Sequence, residues 1–102
     1  MTTSIKVRAA AADDAQVIAD FNTAMALETE SLQLDPATIF AGVTSGLADA
    51  TKAKYFVAQI AGAVVGCCMI THEWSDWRNG DMWWLQSVYV APHHRRAGVF
   101  RA

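Results

Sequence analysis

The sequence predicts an α+β domain in the order β-α-α-β-β-β, with a further helix just beginning near the C-terminus. Three observations carry this. Two stretches with apolar residues at helical spacing follow one short alternating run. Three aromatic and β-branched runs then succeed one another, separated only by tight turns, as in an antiparallel meander. The last run stops at Pro92 and passes through a basic turn to Gly98.

The first strand is Ser4 to Ala9, which alternates. Ala11 to Asp14 then signals a helix start, with Asp13 or Asp14 as cap or first-turn acid. Val17, Ile18, Phe21 and Met25 keep helical spacing to about Glu28. Ser31 to Leu34 breaks the run. Asp35-Pro36 starts a second helix, with Asp as N-cap and Pro at the first helical position. Ile39, Phe40, Val43 and Leu47 are its expected apolar face.

From Lys54 the period changes. Tyr55 to Ile60 reads as a strand, and Ala61-Gly62 as a tight hairpin turn. Val64 to about Trp74 is a longer, mostly apolar strand, which suggests cover on both faces. Ser75 to Asp81 is a polar turn, tightest at Asn79-Gly80. Met82 to Ala91 returns as the third strand of the meander, and Pro92 ends it.

Composition narrows the function. The 102 residues are enough for one domain, 53% hydrophobic and 18% charged, which is globular rather than disordered. A net charge of −2 argues against a general nucleic-acid or anionic-membrane binder, including a reading of the His93-His94-Arg95-Arg96 turn as a nucleic-acid contact. The longest apolar stretch, Ala61 to Ile70, is too short for a membrane span. The N-terminus lacks the apolar core of a signal peptide, so a cytoplasmic location is expected. Cys67 and Cys68 are adjacent within a strand and are expected to be free, packed thiols. Neither they nor His72, His93 and His94 fit a metal spacing, so no metal is expected.

The chemistry concentrates in Trp84 to Ala102. A strand feeding a glycine-containing turn that opens a helix is an anion site, because free backbone N–H groups and the positive end of the helix dipole point at the ligand. Arg95 and Arg96 add charge at that turn, and Arg101 follows close behind. Glu73, beside Trp74 and Trp77, is a candidate general base if the indoles desolvate it. Trp74, Trp77, Trp83, Trp84 and Tyr89 suit cross-strand packing or, for one or two of them, an acceptor pocket that attracts an ammonium; Trp74 is the candidate for the pocket. Glu28 and Glu30 end the first helix, where an acid opposes the dipole and suggests another purpose.

The element order and the segment Val88 to Phe100 (VYVAPHHRRAGVF) together resemble the GCN5-related N-acetyltransferase (GNAT) superfamily. That family's pattern is a V-x-V strand, a proline, then Arg/Gln-x-x-Gly-x-Gly/Ala opening a helix. Here the strand is Val88-Tyr89-Val90, the proline is Pro92, and the turn positions are Arg95, Gly98 and Phe100, the last a departure from Gly/Ala. A preceding hairpin ending in Val64-Val65-Gly66 supports the match.

The resemblance implies a GNAT-like acyl-CoA N-acyltransferase fold over residues 1–102, covering roughly the first two thirds of such a domain. It implies acetyl-CoA as cosubstrate and a small-molecule or peptide amine as acceptor, attacking the thioester with no covalent enzyme intermediate. The backbone of Arg95, Arg96, Ala97, Gly98, Val99 and Phe100 would hold the CoA pyrophosphate. Val88, Tyr89 and Val90 would hold the pantetheine arm, with one N–H there polarising the thioester carbonyl. Gln86 would hold a water or the acceptor, and Glu28 and Glu30 would lie beside the acceptor-binding loop. Because the chain stops about one turn into the cofactor helix, a truncated domain is expected. The alternative is a fragment that is inactive alone, acting at most as a CoA-binding module or as a homodimer formed through the uncovered sheet.

Overall fold

Two helices pack on one face of a four-stranded antiparallel sheet. The computed structural model describes residues 4–95, 98 and 99. The elements in chain order are β1 (Ile5–Ala9), α1 (Ala15–Glu30), α2 (Pro36–Ala48), β2 (Lys54–Ile60), β3 (Ala63–Ser75) and β4 (Gly80–Val90). The strands lie in the order β1-β2-β3-β4. β2, β3 and β4 pair through tight turns as a meander, while β1 pairs antiparallel with β2 across the connection that carries both helices.

Local chemistry sets the boundaries. A short 3₁₀ turn, Ala12–Asp14, leads into α1. Asp14 is the acid that matters there: its Oδ2 accepts the Ala11 N–H at 2.7 Å, and both oxygens take the Arg8 guanidinium at 2.7 and 2.9 Å. That ties β1 to the start of α1 and gives a nearly buried carboxylate its partners. Ser31 ends α1 in the left-handed region, with φ of 51°. Asp35 caps α2 by accepting the Thr38 N–H at 2.9 Å, with Pro36 at the first helical position.

The core sits between the helices and the sheet. Ile18 of α1, Val43 of α2 and Val57 of β2 are its fully buried centre. Ala15, Ala19, Cys67 and Tyr89 complete it. Phe21 stacks on Tyr89 at 5.2 Å between ring centroids. Phe40 departs from its expected place: it stays exposed, while Ile39, Val43 and Leu47 face the core. The buried stripe of α2 repeats at i+4 and i+8, and Phe40 lies one residue off it. Gly46 continues the buried side of α2, and a Cβ there would come 2.9 Å from the Tyr55 ring.

The hairpins explain the rest. Ala61 and Gly62 both have positive φ, 52° and 82°, as a type I′ turn requires. Asn79, with φ of 50°, closes the second hairpin. Among the described residues, helices cover only one face of β3, so the expected cover on both faces is not seen there. The far part of the β3–β4 hairpin reaches past the helices. Its side chains there are only partly buried or exposed, with Trp74 at 63%, Trp77 at 96% and Trp83 at 68% exposure. No described helix is long and apolar enough to cross a membrane.

Candidate active site

The site is built where β4 ends. Its first component is a bulge. Cys67 pairs with Tyr89 and Met69 with Gln86, so Ser87 and Val88 of β4 oppose Cys68 alone. Ser87 takes φ of 52°, a conformation that serine adopts only under constraint. The bulge bends the strand and re-aims Val88 to Val90 relative to the outer half of the hairpin.

The second component is an open edge. Among the described residues no strand pairs with the outer side of β4. The Ala91 N–H donates to the Val65 carbonyl at 2.7 Å, which turns the amide and carbonyl of Val90 away from the sheet. The Val90 carbonyl does face out, since it accepts Arg95 Nε at 2.9 Å. Alternation sends the Val88 amide the same way. Arg95 thus occupies the Val90 carbonyl, and the outward Val88 and Val90 amides are the groups on which an extended ligand with amide groups can add like a strand.

The third component is the turn. Pro92–His94 form a 3₁₀ turn, and the His94 N–H donates to the Ala91 carbonyl at 2.9 Å. The Arg95 N–H points back to the Pro92 carbonyl at 3.5 Å, so this amide is not free for a ligand. Gly98 has φ of 85°, a left-handed conformation that a glycine adopts without strain. Val99 is buried against the sheet face away from the helices, packed with Ala58 and Val65. The amides of Gly98 and Val99 have no acceptor among the described residues. Arg96, Ala97 and Phe100 lie outside the described residues.

The side chains divide. Arg95 does not stand free at the turn. Its fork holds both oxygens of Glu28, Nη1 to Oε1 at 2.6 Å and Nη2 to Oε2 at 2.9 Å. Its guanidinium carbon also lies 5.3 Å from the Tyr89 ring centre. The Glu28 carboxyl is held below the usual carboxylate range, first by the hydrogen bond from Arg95. Tyr89 points into the core, its hydroxyl donates to Glu28 Oε2 at 3.4 Å, and by alternation its backbone groups face β3 rather than the open edge, so the expected contact of Tyr89 with a ligand there is not supported. Glu30 is exposed on the last turn of α1.

Glu73 is exposed near the end of β3, opposite Met82, so the indole enclosure expected around it is absent. Gln86, next to the bulge, donates to Thr71 Oγ1 at 2.6 Å. Trp74 is exposed at the far end of the hairpin and, with Trp77 and Trp83, forms no enclosed pocket. Cys67 and Cys68 are free thiols. Burial pushes the Cys67 thiol up to about 12, with Cys68 adding to it. Among the described residues no three His, Cys, Asp or Glu side chains come together as a metal site would need.

A hollow of about 310 Å³ lies on the sheet face away from the helices, lined by residues such as Phe56, Gly66, Cys68, Leu85 and Val99. Among the described residues its lining carries no charged side chain.

A bulged edge strand that runs into a turn with a left-handed Gly98 closes an α+β domain of two helices on an antiparallel sheet. The chain belongs to the acetyltransferase (GNAT) family, whose model matches residues 18–102. Among solved structures, a protein described as a possible acetyltransferase from Clostridium difficile 630 is 46% identical, with a TM-score of 0.91 over 95% of this chain. The chain spans 64% of the length of that protein. The fold is shared with a predicted acetyltransferase with acetyl-CoA from Clostridium acetobutylicum, at 13% identity and a TM-score of 0.76, over 96% of this chain and 67% of that one. It is shared too with an aminoglycoside N-acetyltransferase in complex with CoA, at 12% identity and a TM-score of 0.75, over 99% of this chain and 64% of that one. A comparison with curated proteins gives no match.

Proposed function

We propose that this chain forms the acetyl-CoA-binding part of an N-acetyltransferase that acts on an amine. The observation that carries the reading is the junction of β4 with the Gly98 turn: outward amides at Val88 and Val90, then a left-handed glycine followed by a seated Val99. The donor set fits the ligand. Open amides suit the amide groups of a pantetheine arm, and the turn suits a pyrophosphate. The nearest acid, Glu28, is neutralised by Arg95 and does not repel an anion there.

Acetyl-CoA would supply an activated acetyl group to an amine: the amine nitrogen bonds to the thioester carbonyl carbon, the C–S bond breaks, and CoA leaves as the thiol with the proton that the amine loses. Val88 and Val90 hold the arm along the edge of β4. An N–H at the bulge stands ready to donate to the carbonyl oxygen as negative charge develops on it. Backbone amides of the turn, from Arg96 to Phe100, hold the phosphates. Gln86, which precedes the bulge and pairs with Met69, is assigned to orienting a water or the acceptor. Glu73 and Glu30 remain exposed carboxylates on the acceptor side, able to draw in an ammonium but not enclosed enough to act as tuned bases. The family likeness supports a small-molecule or peptide amine as the acceptor.

A calorimetric titration with acetyl-CoA tests the reading, with S-acetylpantetheine as the probe that lacks the pyrophosphate. Saturable binding, much weaker for the truncated probe, is expected. A well-folded sample that binds neither would refute it. A second reading, self-association, rests on Val7 and Leu85, which stay 44% and 56% exposed beside the apolar hollow. Sedimentation showing a monomer at high concentration removes it.

A further inference from the structure

The motif arginine of the turn does more than neutralise Glu28. Arg95 spends its fork on Glu28, its Nε on the Val90 carbonyl and its flat face on the Tyr89 ring. These partners come from three places. Glu28 ends α1, Tyr89 and Val90 end β4, and Arg95 itself begins the turn that carries Gly98. The paired residues stand 67 positions apart in sequence. Tyr89 is fixed in turn, being buried and stacked on Phe21 of α1.

Geometry and charge point the same way. A planar fork held at two carboxylate oxygens is directional, and a point charge cannot replace it. A guanidinium committed to a carboxylate adds little net field for a phosphate. Its effect is on where the turn sits. Glu28 stands near the end of α1, where an acid is unfavourable with the helix dipole, and Arg95 offsets that.

We infer that Arg95 is a positioning residue: through Glu28 it clamps the phosphate-binding turn to the end of α1, and it is not itself a phosphate ligand. The inference rests on the proposed acetyl-CoA reading. It joins the cofactor turn to the helix end that leads into the segment between α1 and α2, so occupancy on one side constrains the other.

The two roles predict opposite signs for one substitution. If Arg95 bound phosphate, Glu28→Gln would remove a competing acid and tighten acetyl-CoA. If Arg95 is a clamp, Glu28→Gln loosens the turn and weakens it. The experiment is a double-mutant cycle on the full chain, with Glu28→Gln, Arg95→Gln and the pair, titrated with acetyl-CoA below the melting temperature of every variant. Each single change is expected to weaken binding by roughly two- to fivefold, in keeping with an exposed ion pair. The double variant should be no weaker than the worse single. Arg95→Lys, which keeps the charge and loses the fork, should behave like Arg95→Gln.

Tighter or unchanged binding by Glu28→Gln overturns the clamp. So does wild-type affinity in Arg95→Lys, or a fall in melting temperature with affinity intact, which would make the pair merely structural. Absence of wild-type binding refutes the acetyl-CoA reading and the clamp with it, whereas wild-type binding with any of the former results sinks the clamp alone.

Discussion

Gly66 lies under the turn, and replacing it with alanine probes how the sheet carries the site. Gly66 sits in β3 opposite Val90, on the face where Val99 is seated. A Cβ there would lie 3.0 Å from the Tyr89 carbonyl oxygen, 3.3 Å from Val99 Cγ1 and 3.5 Å from Val90 Cγ2. The first of these is backbone of the paired strand and yields little. The second is a side chain at the turn, so Val99 is what moves. Overpacking of this kind costs about 1–3 kcal/mol. Removing a strand-interior glycine returns about 0.5–1 kcal/mol. The net loss runs up to about 2.5 kcal/mol and centres on about 1 kcal/mol, or roughly 5 °C in Tm for a domain of this size.

Gly42 is the internal control. It lies in α2, and a Cβ there meets nothing within 4 Å. Gly42→Ala keeps the propensity gain without the clash, and should raise stability by about 0.8–1 kcal/mol. Thermal denaturation followed by circular dichroism reads both variants. Calorimetry with acetyl-CoA reads the turn, and Gly66→Ala should bind more weakly while Gly42→Ala is unaffected. A Gly66→Ala variant that melts with or above wild type and binds equally well would show that Val99 is not held by the sheet as described.

Three further outcomes are expected. Asp14→Asn lowers Tm at pH 7. The hydrogen bonds from Arg8 hold the Asp14 carboxyl below its ordinary range, so this stability is present above the unfolded pKa near 4 and lost as pH falls through the folded value. A Tm gap between wild type and variant that does not close in acid would contradict the pairing. Ser87→Val forces a β-branched residue into φ near 52° and should cost about 1–2 kcal/mol, whereas Ser87→Gly should be close to neutral. Equal melting of the two variants would mean that the bulge does not persist in solution. Cys67, buried and with its thiol pushed up to about 12, should resist iodoacetamide at pH 8 until guanidinium is added. Prompt native alkylation at Cys67, mapped by mass spectrometry, would argue against the described core.

What the sequence disclosed and what it withheld separate by range. Both helices, all four strands and their turns are local events, written in periodicity, in Asp35-Pro36, in Ala61-Gly62 and in Asn79-Gly80. The glycine turn was local too, and Gly98 does take the conformation that favours glycine. The bulge was not legible, because Ser87 carries no signal for a left-handed backbone and the register that creates it depends on β3. Phe40 was misplaced because a four-residue helical face tolerates a one-residue error until the packing partner is known. The indole enclosure of Glu73 failed for a related reason. Sequence neighbours on a strand point to opposite faces, so Glu73 and Trp74 do not share a side.

The Arg95–Glu28 pair shows the limit most clearly. Each residue was visible alone, Arg95 as charge at an anion turn and Glu28 as an acid at the unfavourable end of a helix. The sequence offered two ligand contacts, and the fold makes them partners. The same two charges therefore change meaning with distance: 67 residues apart they suggest a phosphate and an ammonium, and at 2.6 Å they cancel. Among the described residues, what this junction leaves open includes the outward amides of Val88 and Val90 and those of Gly98 and Val99. Backbone donors do not depend on side-chain identity, so a phenylalanine at position 100 leaves its N–H in place even where the family pattern has glycine or alanine. Removing charge at the turn should then weaken acetyl-CoA less than displacing the turn does. For that reason Gly66→Ala, which adds a methyl group and alters no charge, is the sharper test of how the ligand is held.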